Sequence, residues 1–388
     1  MIAVRVLHLV PARSADPETL AAGLLARWLH ASGHPQAIAA AEPGLPVVGE
    51  GIESFSWAKS RLAWWLGGRT RFLARIGTWV PDLIHAHGLA QVPLALGLAR
   101  RLRLPALASI HRLVDPHAQR VVRDPLLKWL LVPTEFHRSH WVAEVGIDRD
   151  RVGVLPCGVD LAAAATRRPA DGRLVVGVEA VPGQDSGLPA LFEAVEQIRR
   201  EGVQARIVAA VADESAARRV QQLATGLGVG GQVVLAVGNG AIDLVGRCDV
   251  LVRPDACEQP LLAAVQAMAE ARPIIAVGVG GLSELVRDGE SALIVPAGDA
   301  AAFAAALRQL ADEVNRRTIG AAARASAEAR FGLTEVGTAA LEFYHAAIGP
   351  APEAGSLTET ASSWRRATEM RARRLESDAN TAAREPQP

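Results

Sequence analysis

The chain has 388 residues, half of them apolar, and its 41 basic side chains are balanced by 41 acidic ones. That length exceeds one ordinary hydrophobic core and points to two domains. The cancelled charge excludes the broad field that draws a protein to nucleic acid. Cys157, Cys248 and Cys257 lack metal-ligand spacing and read as reduced thiols of a cytoplasmic protein. The apolar N-terminal run meets Pro11 and charge too early for a signal peptide. No run reaches the roughly 18 apolar residues of a membrane span.

Short β-branched runs alternate with amphipathic segments along the chain. Strands are predicted at 4–10, 82–87, 106–111, 130–134 and 151–156. A second series is predicted at 174–179, 205–211, 232–237, 249–254, 273–278 and 291–296. The strands are apolar on both faces, as in parallel sheets covered by helices. Helical periodicity fills 18–32, 89–103, 187–201, 213–227, 299–313 and 334–348. The expected fold is α/β, with two doubly wound, Rossmann-like parallel-sheet domains facing across a cleft. The domains are expected at 1–171 and 172–331. A helix at 332–348 is expected to pack back on the first domain, and 349–388 reads as a disordered tail with one short basic helix at 361–376.

Six segments in this order resemble the retaining family 4 glycosyltransferases of GT-B fold: "VRVLHLV" with its helix ending in "ASGH", "PDLIHAHG", "LPALASIHR", "RVGVLPCGVDL", the "CDVLVRPDACE" stretch, and "QAMAEARPIIAVGVGGLSELVRDGESALIV". The resemblance implies transfer of a hexosyl unit from a nucleotide diphosphate sugar (UDP-, GDP- or ADP-linked) to an acceptor hydroxyl, with retention. It implies no metal and no cofactor. The acceptor would be a sugar or a lipid-linked sugar bound on the first domain. The catalytic candidates so implied are His111 and Glu258. The donor-binding candidates are Glu179, Ser186, Gly187, Arg253, Leu261, Leu262 and Gln266.

Several of these positions depart from the family pattern. Gln266 stands eight residues after Glu258, where the family has a second glutamate gripping the ribose diol; losing charge assistance there costs about 1 kcal/mol. Glu179 and Ser186 occupy the places of the Arg and Lys that hold the diphosphate, and no basic residue occurs from 174 to 198. Two lost charge-assisted contacts cost roughly 3–6 kcal/mol. Gln259, Pro260 and Leu261 replace a Gly-aromatic-Gly run, while Ala15 and Asp16 replace paired glycines. Arg253 either supplies a substitute cation or points to the surface. His111 either contacts the transferred sugar or is a strand-end histidine paired to backbone. His85 and His87 share one strand face and either ligate a metal or pack and hydrogen-bond in the cleft.

Residues 56–81 hold four of the eight tryptophans and five cations with no acid. This suits either peripheral contact with the inner face of a membrane or a helix pair packed on the first sheet. The leading reading is a glycosyltransferase with an altered donor site. The alternatives are an inactive GT-B relative serving as partner or scaffold of an active transferase, and a sugar-nucleotide epimerase.

Overall fold

A computed structural model describes residues 3–11, 16–41, 49–57, 68–113, 119–162, 172–181, 187–238, 244–256 and 260–349. The predicted tail and basic helix, Glu258, Ser186 and Cys257 lie outside the described residues. Among those described, residues up to Gly158 and from Phe331 form one compact unit, and Val159–Arg330 form the other.

The first unit carries seven strands: β1 (Val6–Leu9), β2 (Gln36–Ala40), β3 (Glu53–Ser56), β4 (Leu83–His87), β5 (Ala106–Ser109), β6 (Leu127–Val132) and β7 (Val152–Val154). They form one sheet in the order β3-β2-β1-β4-β5-β6-β7, and every pairing is parallel. β2 and β3 were not among the predicted strands. "QAIAA" is rich in alanine, which has little β preference, and "ESFS" is an edge strand whose one fully buried residue is Phe55.

Eleven helices of the described residues are relevant: α1 (Pro17–Ala31), α2 (Arg69–Trp79), α3 (Val92–Leu102), α4 (Gln119–Val122), α5 (Glu135–Ala143), α6 (Leu188–Arg200), α7 (Glu214–Gly226), α8 (Leu262–Ala269), α9 (Ala300–Ala311), α10 (Glu313–Arg330) and α11 (Leu333–Ile348). Their starts follow local chemistry. Asp16 accepts the Glu18 N–H and Pro17 opens α1, while Asp213 and Asp299 cap α7 and α9 in the same way.

α1 and α11 cover one face of the first sheet, burying Leu29, Leu83, Leu107, Leu131 and Tyr344 in a common cluster. Contact is close enough that the Trp28 indole lies where a side chain at Gly337 would be. On the other face, Trp57 packs edge-on to Phe72 at 5.9 Å and Phe55 edge-on to Trp79 at 6.3 Å. Arg5 stacks over Trp79 and Arg75 over Phe55. These two tryptophans of the 56–81 segment are therefore engaged with the sheet and α2; its other two, Trp64 and Trp65, lie outside the described residues. No helix among the described residues is long and apolar enough to cross a membrane.

The second unit has six parallel strands: β8 (Leu174–Glu179), β9 (Ala205–Val211), β10 (Val233–Val237), β11 (Val250–Arg253), β12 (Ile274–Val277) and β13 (Ala292–Val295). Their order is β10-β9-β8-β11-β12-β13. Both sheets are doubly wound, so the strand order reverses between β1 and β4 in the first and between β8 and β11 in the second. Chains leaving neighbouring strands on opposite sides open a crevice at each reversal, at the carboxyl ends of the strands.

Candidate active site

In the first unit the crevice is lined from four directions. Glu18 enters from the first turn of α1, just after β1. Gly88 follows β4, His111 follows β5, and Cys157 follows β7. The Glu18 side chain occupies the space that a side chain at Gly88 would fill, and Gly88 adopts φ +87°; only glycine satisfies both demands at low cost. Burial pushes the Glu18 carboxyl up to about 7; nearby Asp16 adds to the rise, while Arg112 and the His111 N–H oppose it.

His111 is 5 % exposed, and its Nδ1 lies 3.1 Å from the Cys157 sulfur. Its side-chain partner is thus a thiol rather than backbone. Burial, reinforced by Arg112, lowers His111 to about 4. Burial and the Glu18 charge push the Cys157 thiol up to about 12. The pair is therefore neutral at pH 7.

Beneath this rim lies a buried stack of His8, His85 and His87. Gln36 donates its amide N–H to the His34 carbonyl at 3.0 Å, which turns its Oε1 toward His8 Nε2 at 2.8 Å. An amide oxygen only accepts, so His8 carries its proton on Nε2 and offers Nδ1 as an acceptor. His87 Nε2 lies 2.9 Å from that Nδ1 and must donate to it. His87 is thereby left with a bare Nδ1, a buried acceptor with no hydrogen-bond partner in the structure. His85 bonds Tyr344 OH and Ser109 Oγ, each at 2.8 Å. The three rings place ligand atoms within 4.8 Å of one another, but so bonded they leave a metal one uncommitted lone pair, on His87.

In the second unit the register Val252↔Val178 carries Arg253 alongside Glu179 at the reversal. Arg253 is 6 % exposed, so it is not a surface arginine. Its Nη1 donates to the Pro260 carbonyl at 2.9 Å and lies 3.5 Å from Glu179 Oε2. Gly187 opens α6, and its N–H donates to Asp255 Oδ1 at 2.9 Å. A side chain at Gly187 would strike the Pro254 carbonyl, so glycine is required there for close packing. A cation and a helix-opening amide are the groups that bind a phosphate; here each already faces a carboxylate of the protein. Leu261 and Leu262 are buried at the start of α8, and Gln266 donates to Glu270 Oε1 one turn on at 2.8 Å.

The sequence reading therefore named Glu179, Gly187 and Arg253, which converge at one reversal, and His111, which lies at the other. It missed Glu18, His8, Gln36, Cys157 as the His111 partner, and Tyr344. An acid in the first turn of a helix is ordinary dipole chemistry, so Glu18 carries no local signal. The signal available was topological: α1 starts at the β1/β4 reversal.

Residues 22–163 match the family model described as Glycosyltransferase Family 4, and residues 173–313 match Glycosyl transferases group 1. The D-inositol 3-phosphate glycosyltransferase of Streptomyces scabiei is 30% identical over 314 residues, covering 74% of this chain and 67% of its own. That of Geodermatophilus obscurus is 32% identical over 289 residues, covering 69% and 61%. The chain thus spans about two thirds of the length of these relatives. HepE of Anabaena in complex with UDP-glucose matches with TM-score 0.72 at 17% identity, over 88% of this chain and 99% of that one. Sucrose-phosphate synthase of Thermosynechococcus elongatus matches with TM-score 0.70 at 20% identity, over 88% and 98%. Two doubly wound parallel-sheet units of this kind are the GT-B glycosyltransferase architecture. Within that class, the chain belongs to glycosyltransferase family 4.

Proposed function

We propose that this protein transfers a hexosyl unit, with retention, from a nucleoside diphosphate sugar to a hydroxyl of a polyol or sugar acceptor. The observation that carries this is the first-unit crevice. His111 stands at the carboxyl end of β5, where the family resemblance puts a histidine against the transferred sugar, beside a buried carboxyl suited to hydroxyls. The names of the relatives support a phosphorylated inositol or similar polyol as acceptor, and HepE, with UDP-glucose bound, supports a UDP-sugar as donor. Free thiols at Cys157 and Cys248 accord with a cytoplasmic enzyme.

A second reading, an inactive relative acting as partner or scaffold of an active transferase, is favoured by one observation. The phosphate-binding groups of the second unit face the protein's own acids, Glu179 and Asp255. A panel of UDP-, GDP- and ADP-sugars separates the two. The active reading expects one of them to raise the melting temperature, since a ligand at a hundred times its Kd adds roughly 2.7 kcal/mol. It also expects that donor to yield a glycosylated product with inositol phosphate or another polyol. No shift and no product at millimolar donor would leave the scaffold reading standing.

A further inference from the structure

His111 and Cys157 are brought together by β5 and β7, which are separated in the sheet by β6. The Ile110 N–H donates to the Leu131 carbonyl at 2.9 Å and the Leu155 N–H to the Val132 carbonyl at 2.8 Å, so β6 fixes the chain just before each of them. Beyond Cys157, Gly158 lies against α11, where any side chain would strike Leu333 and Val336. The thiol is thus held from both sides along the chain, 2% exposed, with its sulfur 3.1 Å from His111 Nδ1. Lowered to about 4, His111 is a neutral ring at pH 7, with one N–H and one bare nitrogen. Which nitrogen is bare decides whether the far edge of the ring donates or accepts. Cys157 keeps its hydrogen up to about 12. Thiol sulfur is a poor acceptor and a bare imidazole nitrogen a good one, so the contact is best made with S–H donating to Nδ1.

We propose that Cys157 is a positioning residue for His111: its S–H donates to Nδ1, fixes the ring at the carboxyl end of β5 and keeps the ring's proton on Nε2. Nε2 is then a hydrogen-bond donor to a hydroxyl oxygen of the transferred sugar, and His111 binds without exchanging a proton. The sugar contact rests on the transfer reaction proposed above, whereas the tautomer rests on the thiol alone. Neither residue makes or breaks a bond of the sugar, so the role is compatible with retention.

The test reads the ring directly, by long-range proton–nitrogen correlation spectra of the full chain labelled with 15N-histidine, at pH 7 and without ligand. His111→Gln assigns the His111 signals. Wild type is expected to show His111 with a bare Nδ1 and a protonated Nε2. Cys157→Ser, whose hydroxyl donates in the same place, is expected to keep that pattern, and Cys157→Ala to lose it as the two tautomers mix. With the sugar nucleotide that gives the largest thermal shift, Cys157→Ala is expected to raise the donor KM about tenfold, the worth of one hydrogen bond, and Cys157→Ser to restore it to within about threefold of wild type. A merely structural loss would lower kcat through the folded fraction and leave both KM and the ring spectrum as they are. A wild-type His111 with its proton on Nδ1, or a Cys157→Ala spectrum unchanged at His111, would overturn the role of the thiol. A wild type that transfers from no donor would overturn the transfer reading and the sugar contact together, while the ligand-free spectra still decide the tautomer.

Discussion

Arg253 and Glu179 stand side by side at the carboxyl ends of β11 and β8, with guanidinium and carboxylate 3.5 Å apart and the arginine side chain 7% exposed. The only cation at this reversal among the named site residues is thus already matched by an acid, and the α6 amide beside it is matched by Asp255. Removing those acids should convert an internally satisfied site into an anion receptor. The double variant Glu179→Gln/Asp255→Asn is expected to bind UDP or a UDP-sugar about tenfold more tightly, ~1.4 kcal/mol, by calorimetric titration. Arg253→Ala should weaken binding instead. Equal affinities in wild type and double variant would show that the acids do not oppose phosphate.

Glycines 88 and 187 are where backbone and neighbours leave no room. Gly88→Ala combines a positive φ with displacement of the Glu18 carboxyl, and should cost about 1–3 kcal/mol of unfolding free energy. Gly187→Ala strikes the Pro254 carbonyl, which is rigid backbone, and should cost about 3 kcal/mol. Urea denaturation measures both. Gly97, whose Cβ would meet nothing within 4 Å, is the control, and Gly97→Ala in the middle of α3 should stabilise slightly.

Histidines buried as neutral bases make the fold acid-sensitive. His8, His111 and His137 are all lowered to about 4 from 6.5, chiefly by burial. The unfolded chain therefore binds more protons than the native one between pH 6.5 and 4, and stability falls as pH drops through that window. Each contributes at most about 3 kcal/mol. Glu18 runs the other way: raised to about 7, it makes the native state lose stability as pH rises from 4.5 through 7. Denaturation midpoints from pH 4 to 8 should fall steeply on the acid side. Glu18→Gln should gain stability relative to wild type at pH 8 and not at pH 4. A flat midpoint between pH 6.5 and 4 would contradict the neutral stack.

Two thiols should be inert. Burial pushes both Cys157 and Cys248 up to about 12, and only the thiolate reacts. Iodoacetamide at pH 8 is expected to leave both unmodified in the native protein and to label them on denaturation, as read by peptide mass spectrometry. Rapid native labelling of Cys157 would mean that the His111 contact does not hold it.

Much of the architecture was legible because parallel strands buried on both faces must be apolar on both faces. "LVVGVE" and "DVLVRP" announce themselves in this way. The Ala-rich β2 and the edge strand β3 did not, because their place is given by pairing with β1 rather than by their own composition. At the sites, residue identity was readable but partnership was not. Arg253 read as a substitute phosphate cation or a surface arginine, and only β8 laid beside β11 shows it buried against Glu179. Gln266, read as a ribose ligand, donates to Glu270 one turn along its own helix. Glu18 had no local mark at all, because what makes it unusual is Gly88, seventy positions away in the chain and adjacent in space.

Tyr344 bonds His85 across 259 positions of sequence, and this separation bears on how the protein is made. The ribosome completes the seven strands of the first unit by Val154, yet the helix that seals Leu83, Leu107 and Leu131 begins only at Leu333. At about 5–20 residues per second, the intervening stretch takes roughly nine to thirty-six seconds to synthesise. For that interval α1 alone lies over that face, and its sealing waits until the second unit has been made through Arg330, since the closing helix is the next element to emerge.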